Sequence, residues 1–351
     1  MFAFVGSRTT VERKARGAGL SVYTVLPGGT WELRHVLRGL TNPSYLALSR
    51  AADRLYAVHG DGESVSAFAV ARDGALLILG TQATEGRNPV HLLIHERSRS
   101  LLVANYATGS LVRLPIHPDG TLGRVSQSLE LPGQTGPHRT QQTGSHPHQV
   151  LLDPTGDRVI VPDKGLDRVF AVAVGSDDGS VTLAPDGPPP GREGAGPRHA
   201  VFDRSGTNLF VANELDSTVT RFAYGAGSGR LSPLEIVSTL PSSCLKTSHA
   251  AGIALTPCGR WLYVSNRGDD SIAVIEVEAA GLRPKAWIPA GGAKPRFITL
   301  DPTGQTLLVA NEDSDTIVSF AVDQVTGALA RTGQVVETGS PVCVVFGSPA
   351  A

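Results

Sequence analysis

A surplus of either charge is absent from this chain. Its 31 lysines and arginines face 32 aspartates and glutamates, for a formal net charge of −1. A nucleic-acid-binding surface needs clustered positive charge to displace counterions from phosphates, so no nucleic-acid partner is expected. Cysteine is equally sparse. Cys244, Cys258 and Cys343 have neither metal-site nor disulfide spacing and are expected to be buried or incidental thiols. No apolar run reaches membrane-spanning length, so no membrane association is expected. The opening residues MFAFVGSRTT run straight into a strand pattern without signal-peptide features, and a cytoplasmic location is expected. Sustained helical periodicity is missing too. What the chain does have is 40 glycines and 24 prolines among short runs of β-formers, the composition of a turn-rich all-β protein.

Those runs repeat. The segments NPSYLALSRAADRLYAVHG, NPVHLLIHERSRSLLVANY, HPHQVLLDPTGDRVIVPDK, GPRHAVFDRSGTNLFVANE, HAAGIALTPCGRWLYVSNR and KPRFITLDPTGQTLLVANE align on Pro43, Pro89, Pro147, Pro197, Ala250 and Pro295. A seventh anchor, Pro341, opens SPVCVVF. Anchor spacings are 46, 58, 50, 53, 45 and 46 residues. Within each full copy the second apolar run ends at a residue 17 positions after the anchor. A constant interior with variable outer spacing describes rigid units on elastic loops. Units of this length with several short strands each predict a β-propeller.

The termini complete the count. SPVCVVFG supplies one innermost strand and then stops, while FAFVGSRT, GLSVYTVLPG and WELRHVLRG read as second, third and fourth strands lacking a first. Joining them in one blade hides two sheet edges. The prediction is one domain over 1–351: a seven-bladed propeller of four-stranded antiparallel blades whose last blade is closed by both termini.

Superposing the copies separates scaffold from chemistry, because positions of one class in every copy serve the scaffold. Two registers break their own rule. The residue after each anchor reads Ser44, Val90, His148, Arg198, Ala251, Arg296, Val342. The register 17 residues after the anchor reads Gly60, Tyr106, Lys164, Glu214, Arg267, Glu312, with Ser7 as the rough counterpart in the split blade. If both face the channel mouth, His148, Lys164, Arg198, Glu214, Arg267, Arg296 and Glu312 share one ring. Arginines bind carboxylate or phosphate through paired hydrogen bonds, so a small anionic ligand is expected. A histidine and a glutamate beside them supply proton transfer, and a cationic pocket stabilises an oxyanion or enolate. The set suits opening or closing of a lactone.

The run GAGPRHAVFDRSGTNLFVANELDSTVTRF, preceded by HPHQVLLDPTGDRVIVPDKGLDRV and followed by LTPCGRWLYVSNRGDDSI, closely resembles the lactonase family of seven-bladed propellers. That family includes bacterial 6-phosphogluconolactonases and fungal carboxymuconate lactonising enzymes. The resemblance spans essentially the whole chain, with PRH-x-VF and N-E-L its more specific parts. It implies a metal-independent site at the channel mouth, and the fungal histidine, two arginines and glutamate fall on His148, Arg198, Arg267 and Glu214. Either Glu214 or His148 would be the general base and the other the acid. Arg198 and Arg267 would hold the anionic group and the oxyanion, with Arg296 and Lys164 as further anion contacts. The expected activity is hydrolysis of an acidic sugar lactone. The alternatives are a muconate cycloisomerase and a non-enzymatic binding platform, since repeats such as VANELDSTV also resemble YVTN-type cell-surface propellers.

Other features carry less. His146 and His148 have the His-x-His spacing of a zinc pair, but no cysteine or carboxylate cluster completes it, and inward charges that are mostly positive disfavour a hard cation. No metal or cofactor is expected, and a monomer is. Residues 133–150 form a polar insertion that reads equally as a flap over the mouth or as a plain loop. The proline-rich stretch 183–196 sets the route to Arg198. His199 is expected to point away from the channel, into the packing between blades. Asp153, Asp203 and Asp301 are expected to close turns.

Overall fold

The computed structural model describes residues 1–184 and 187–348. Pro185 and Asp186 of the proline-rich connection, and residues 349–351 of the expected 1–351 domain, lie outside the described residues. Seven four-stranded antiparallel sheets follow one another around an axis. Blades 1 to 6 begin at Pro43, Pro89, Pro147, Pro197, His249 and Pro295, and each runs outward from its first strand. In blade 7 the C-terminal strand Pro341–Gly347 is innermost and pairs with Phe2–Ser7, followed by Gly19–Val25 and Trp31–Arg38. The closure read from the two incomplete ends is therefore present, with Phe2 opposite Gly347 and Val5 opposite Val344.

Apolar residues alternate along the middle strands and fill the wedges between blades. Separate clusters join blades 1 and 2, 2 and 3, 3 and 4, 4 and 5, and 5 and 6. A larger cluster joins blades 6, 7 and 1, with Phe4, Leu20, Leu55, Phe68 and Ile317 fully buried, so the ring closes through its core as well as its backbone. The repeated turn between first and second strands has a local cause. Asp153 Oδ1 accepts from the backbone N–H of Asp157 and Arg158, and Gly156 takes the left-handed conformation at φ 77°. Asp203 and Asp301 accept equivalent bonds, as their turn role predicted.

One backbone feature positions the site. Just after its anchor, each inner strand shifts its pairing by one residue. Such a bulge leaves a residue unpaired and bends the strand. Strict alternation ends there, so consecutive side chains reach the axis.

Candidate active site

His148, Lys164, Glu214, Arg267 and Arg296 line one cavity of about 210 Å3, together with Arg8, Arg13, Asn88, Val90, Tyr106 and Gln141. Arg198 sits deeper, in a polar recess of about 20 Å3 that shares Arg8, Val90, His148 and Arg296 with the cavity. Larger clefts of about 570 and 540 Å3 lie elsewhere on the blades and contain none of the predicted residues.

Glu214 is the hub. Its Oε1 accepts from Lys164 Nζ at 2.8 Å, and its Oε2 meets Arg198 Nε at 3.0 Å and Arg267 Nη2 at 3.1 Å. Burial would raise the Glu214 pKa, but Arg267, Lys164 and Arg198 outweigh it and hold the carboxyl well below its ordinary value. Burial, Arg267 and Arg296 push Arg198 down to about 9, which leaves it charged at neutral pH. Blade 5 explains its own exceptions to the repeat. Arg198 Nη1 donates to Ala251 O at 2.8 Å and Arg267 Nη2 to Ala250 O at 3.3 Å, so small residues there let two guanidinium groups reach the backbone.

His148 is buried and its Nδ1 has no hydrogen-bond partner. Burial, then Arg198, Arg296 and Lys164, hold its pKa well below the usual histidine value against the pull of Glu214, so the imidazole is neutral at pH 7. His146 does not join it as a ligand pair. Its ring stacks on Tyr106, its Nδ1 meets Tyr106 O at 2.8 Å and its Nε2 meets Thr143 Oγ1 at 3.3 Å. Glu312 stands behind Arg296, at 3.8 Å, and also pairs with Lys294 at 3.3 Å.

Two expectations are corrected. Arg8, not Ser7, is the blade 7 member of the register 17 residues after the anchor. Its N–H donates to Ser340 O, the residue before the anchor, as Glu214 N–H donates to Gly196 O and Lys164 N–H to His146 O. Arg8 is 3% exposed, and burial together with Arg296 lowers it to about 10. His199 does not turn into the packing between blades. The bulge between Pro197 and His199 aims it at the axis, 5.3 Å from the His148 ring, 5.8 Å from His91 and 6.1 Å from Tyr45.

Arg13, Asp61 and Gln141 were not legible, because all three lie outside the strands that repeat. Arg13 ends the short 3-10 helix Val11–Arg13 and clasps Asp61 with two donors. The insertion 133–150 is tied down: Gly136 N–H donates to Gly165 O, and Gln142 Nε2 donates to Lys164 O and Asp167 Oδ1. It brings Gln141 Oε1 within 2.7 Å of Lys164 Nζ.

The chain has relatives that bear on this site. The family described as lactonase, 7-bladed beta-propeller matches residues 2–346. A Bacillus subtilis protein named 6-phosphogluconolactonase is 31% identical over 88% of both chains. A Formosa agariphila protein of the same name is 30% identical over 98% of this chain and 99% of its own. The solved structure of Pseudomonas aeruginosa periplasmic gluconolactonase superposes with a TM-score of 0.89 at 29% identity, covering 98% of each chain. Relatives that carry the names of lactonases give no support to the cycloisomerase or platform readings. The chain belongs to the lactonase family of seven-bladed β-propellers.

Proposed function

We propose that the lactone opened by this enzyme is that of a phosphorylated sugar acid, 6-phosphogluconolactone, and that no metal takes part. The observation that carries the reading is the charge around the cavity. Arg8, Arg13, Lys164, Arg198, Arg267 and Arg296 surround three carboxylates, Asp61, Glu214 and Glu312, each of them already ion-paired. A phosphate monoester brings a charge of about −1.5 to −2 and three acceptor oxygens, which such a surplus suits. The same surplus repels a divalent cation and leaves no free carboxylate to hold one. Names of relatives support the substrate class: 6-phosphogluconolactonase in two of them, gluconolactonase in a third.

The two candidate acid–base residues take different roles in this reading. Glu214, held ionised by three cations, has little affinity for a proton; it orients Arg198, Arg267 and Lys164. His148, neutral and with an unpartnered nitrogen, is the base. An anionic substrate offsets the field of Arg198, Arg296 and Lys164 and so raises the proton affinity of His148 when it is needed. His148 takes a proton from water as the oxygen adds to the lactone carbonyl. Arg267 and Arg198 stabilise the oxyanion. The ring C–O bond then breaks, and the imidazolium returns its proton to the departing alkoxide, leaving the hydroxy acid.

The test is the ring-opening rate of fresh 6-phosphoglucono-δ-lactone, corrected for spontaneous hydrolysis, with wild type and Glu214→Gln side by side. A large wild-type rate lost in the variant supports both substrate and site. No rate above background removes the phosphosugar reading.

A further inference from the structure

The cavity has two cationic walls that face each other across the channel. In a ring of seven, blade 4 stands opposite the junction of blades 7 and 1. Glu214 of blade 4, flanked by Lys164 and Arg267, marks one wall. Arg8 of blade 7, Arg13 just beyond it and Arg296 of blade 6 mark the other, and all three line the same cavity as Glu214.

Asp61 organises the second wall. It accepts from Arg8 Nη1 at 3.1 Å, from Arg13 Nε at 2.8 Å and again from Arg13 Nη2, while Asn42 Nδ2 steadies it at 3.1 Å. One carboxylate thus fixes two guanidinium groups without neutralising both. Arg296 meets Glu312 only at 3.8 Å, and Arg8 Nε is buried with no hydrogen-bond partner. This wall has fixed positive charge and donors to spare.

We infer that the wall of Arg8, Arg13 and Arg296 is the subsite for a phosphate monoester at the far end of the lactone, and that Arg13 is its specificity-determining residue. The inference rests on the reading of the cavity as the site of lactone opening: the carbonyl lies at the Glu214 and His148 wall and the substrate spans the channel. A dianion with three acceptor oxygens uses several guanidinium groups at once, whereas an uncharged hydroxymethyl group gains nothing from them. Arg8 and Arg296 lie deep, while the Arg13 side chain is 41% exposed and reaches the cavity from the rim. Arg13 therefore adds to phosphate recognition without belonging to the core.

The experiment is calorimetric titration of wild type, Arg13→Gln and Arg13→Lys with 6-phosphogluconate and with gluconate, alongside turnover of 6-phosphoglucono-δ-lactone. Wild type is expected to bind the phosphorylated acid more tightly than gluconate. Arg13→Gln narrows that gap by about 10–100-fold, the worth of a charge-assisted hydrogen-bond pair, and Arg13→Lys restores part of it. In turnover the loss falls on KM rather than kcat. Equal wild-type affinity for the two acids, or an unchanged gap in Arg13→Gln, overturns the subsite. Absent turnover with the affinity gap intact would instead sink the substrate reading and leave the anion wall standing.

Discussion

Gly60 makes room for Arg8. A Cβ built on Gly60 would fall inside the contact distance of Arg8 Nη1 and lie 2.6 Å from Ser44 Oγ. Blade 1 therefore leaves its register position without a side chain so that the guanidinium of blade 7 can lie across it and reach Asp61. The backbone of Gly60 is not in the left-handed region, so Gly60→Ala tests space alone. The variant is expected to displace Arg8 at a stability cost of about 1–3 kcal/mol, the usual cost of overpacking. It should weaken 6-phosphogluconate binding by about tenfold through the lost charge-assisted bonds. Denaturant unfolding and titration check the two halves separately.

The parts of the site that could be read from the sequence were those under the control of the repeat. His148, Lys164, Arg198, Glu214, Arg267 and Arg296 stand at fixed offsets from an anchor, and strand pairing carries equal offsets to equal places. Arg8 was missed by one residue because its anchor, Pro341, lies at the other end of the chain. The bond from Arg8 N–H to Ser340 O and the pairing of Ser7 with Pro341 fix the count across the seam. His199 was misdirected because alternation along a strand has a period of two, and the bulge after Pro197 breaks that period where it matters. Arg13, Asp61 and Gln141 come from a terminal helix, a turn and an insertion, which share no periodic signal with the blades.

Removing the hub carboxylate should cost more than its own bonds. Glu214→Gln leaves Lys164, Arg198 and Arg267 buried together without their counter-charge. Breaking a buried pair from one side costs about 3–5 kcal/mol. The pH dependence has a definite sign. The folded pKa of Glu214 is depressed, so its contribution is fully present above the unfolded value of about 4.3 and is lost as pH falls through the folded value. Urea midpoints of the variant should therefore lie below wild type at pH 7 and converge on it towards pH 3. Parallel curves would contradict the ionised hub.

His148 as base predicts where activity fails in acid. Its depressed pKa keeps the imidazole neutral well below the usual value of about 6.5, so the acid limb of kcat/KM should lie below that pH. Arg296 contributes to the depression, and Arg296→Gln should move the limb upward. His148→Ala should lose about 10²–10⁴ in kcat with the fold retained. A pH–rate profile from 4.5 to 7.5, corrected for uncatalysed opening, decides the matter. A limb at or above 6.5 in wild type would reassign the base.

The buried histidines in and beneath the site should make the protein acid-sensitive before its carboxylates titrate. His91, His148 and His199 are all buried, and their rings converge with Tyr45 on the axis. Burial and Arg198 lower His91 to about 3, and burial, Arg198 and His148 hold His199 well below the normal value. Each binds a proton more readily when unfolded than when folded. Their contribution is therefore present above about pH 6.5 and declines as pH falls below it towards the folded values. His91→Phe keeps the ring against Tyr45, now 3.9 Å away between centroids, and removes the titration. It also gives up the acceptor for Val150 N–H, so its stability at pH 7.5 should be lower than wild type. Between pH 7.5 and pH 5, however, wild type should lose more stability than the variant, because its His91 gains a proton on unfolding and the variant has no such group. Denaturant midpoints at the two pH values test this; an equal loss in both proteins would show that His91 does not set the acid sensitivity.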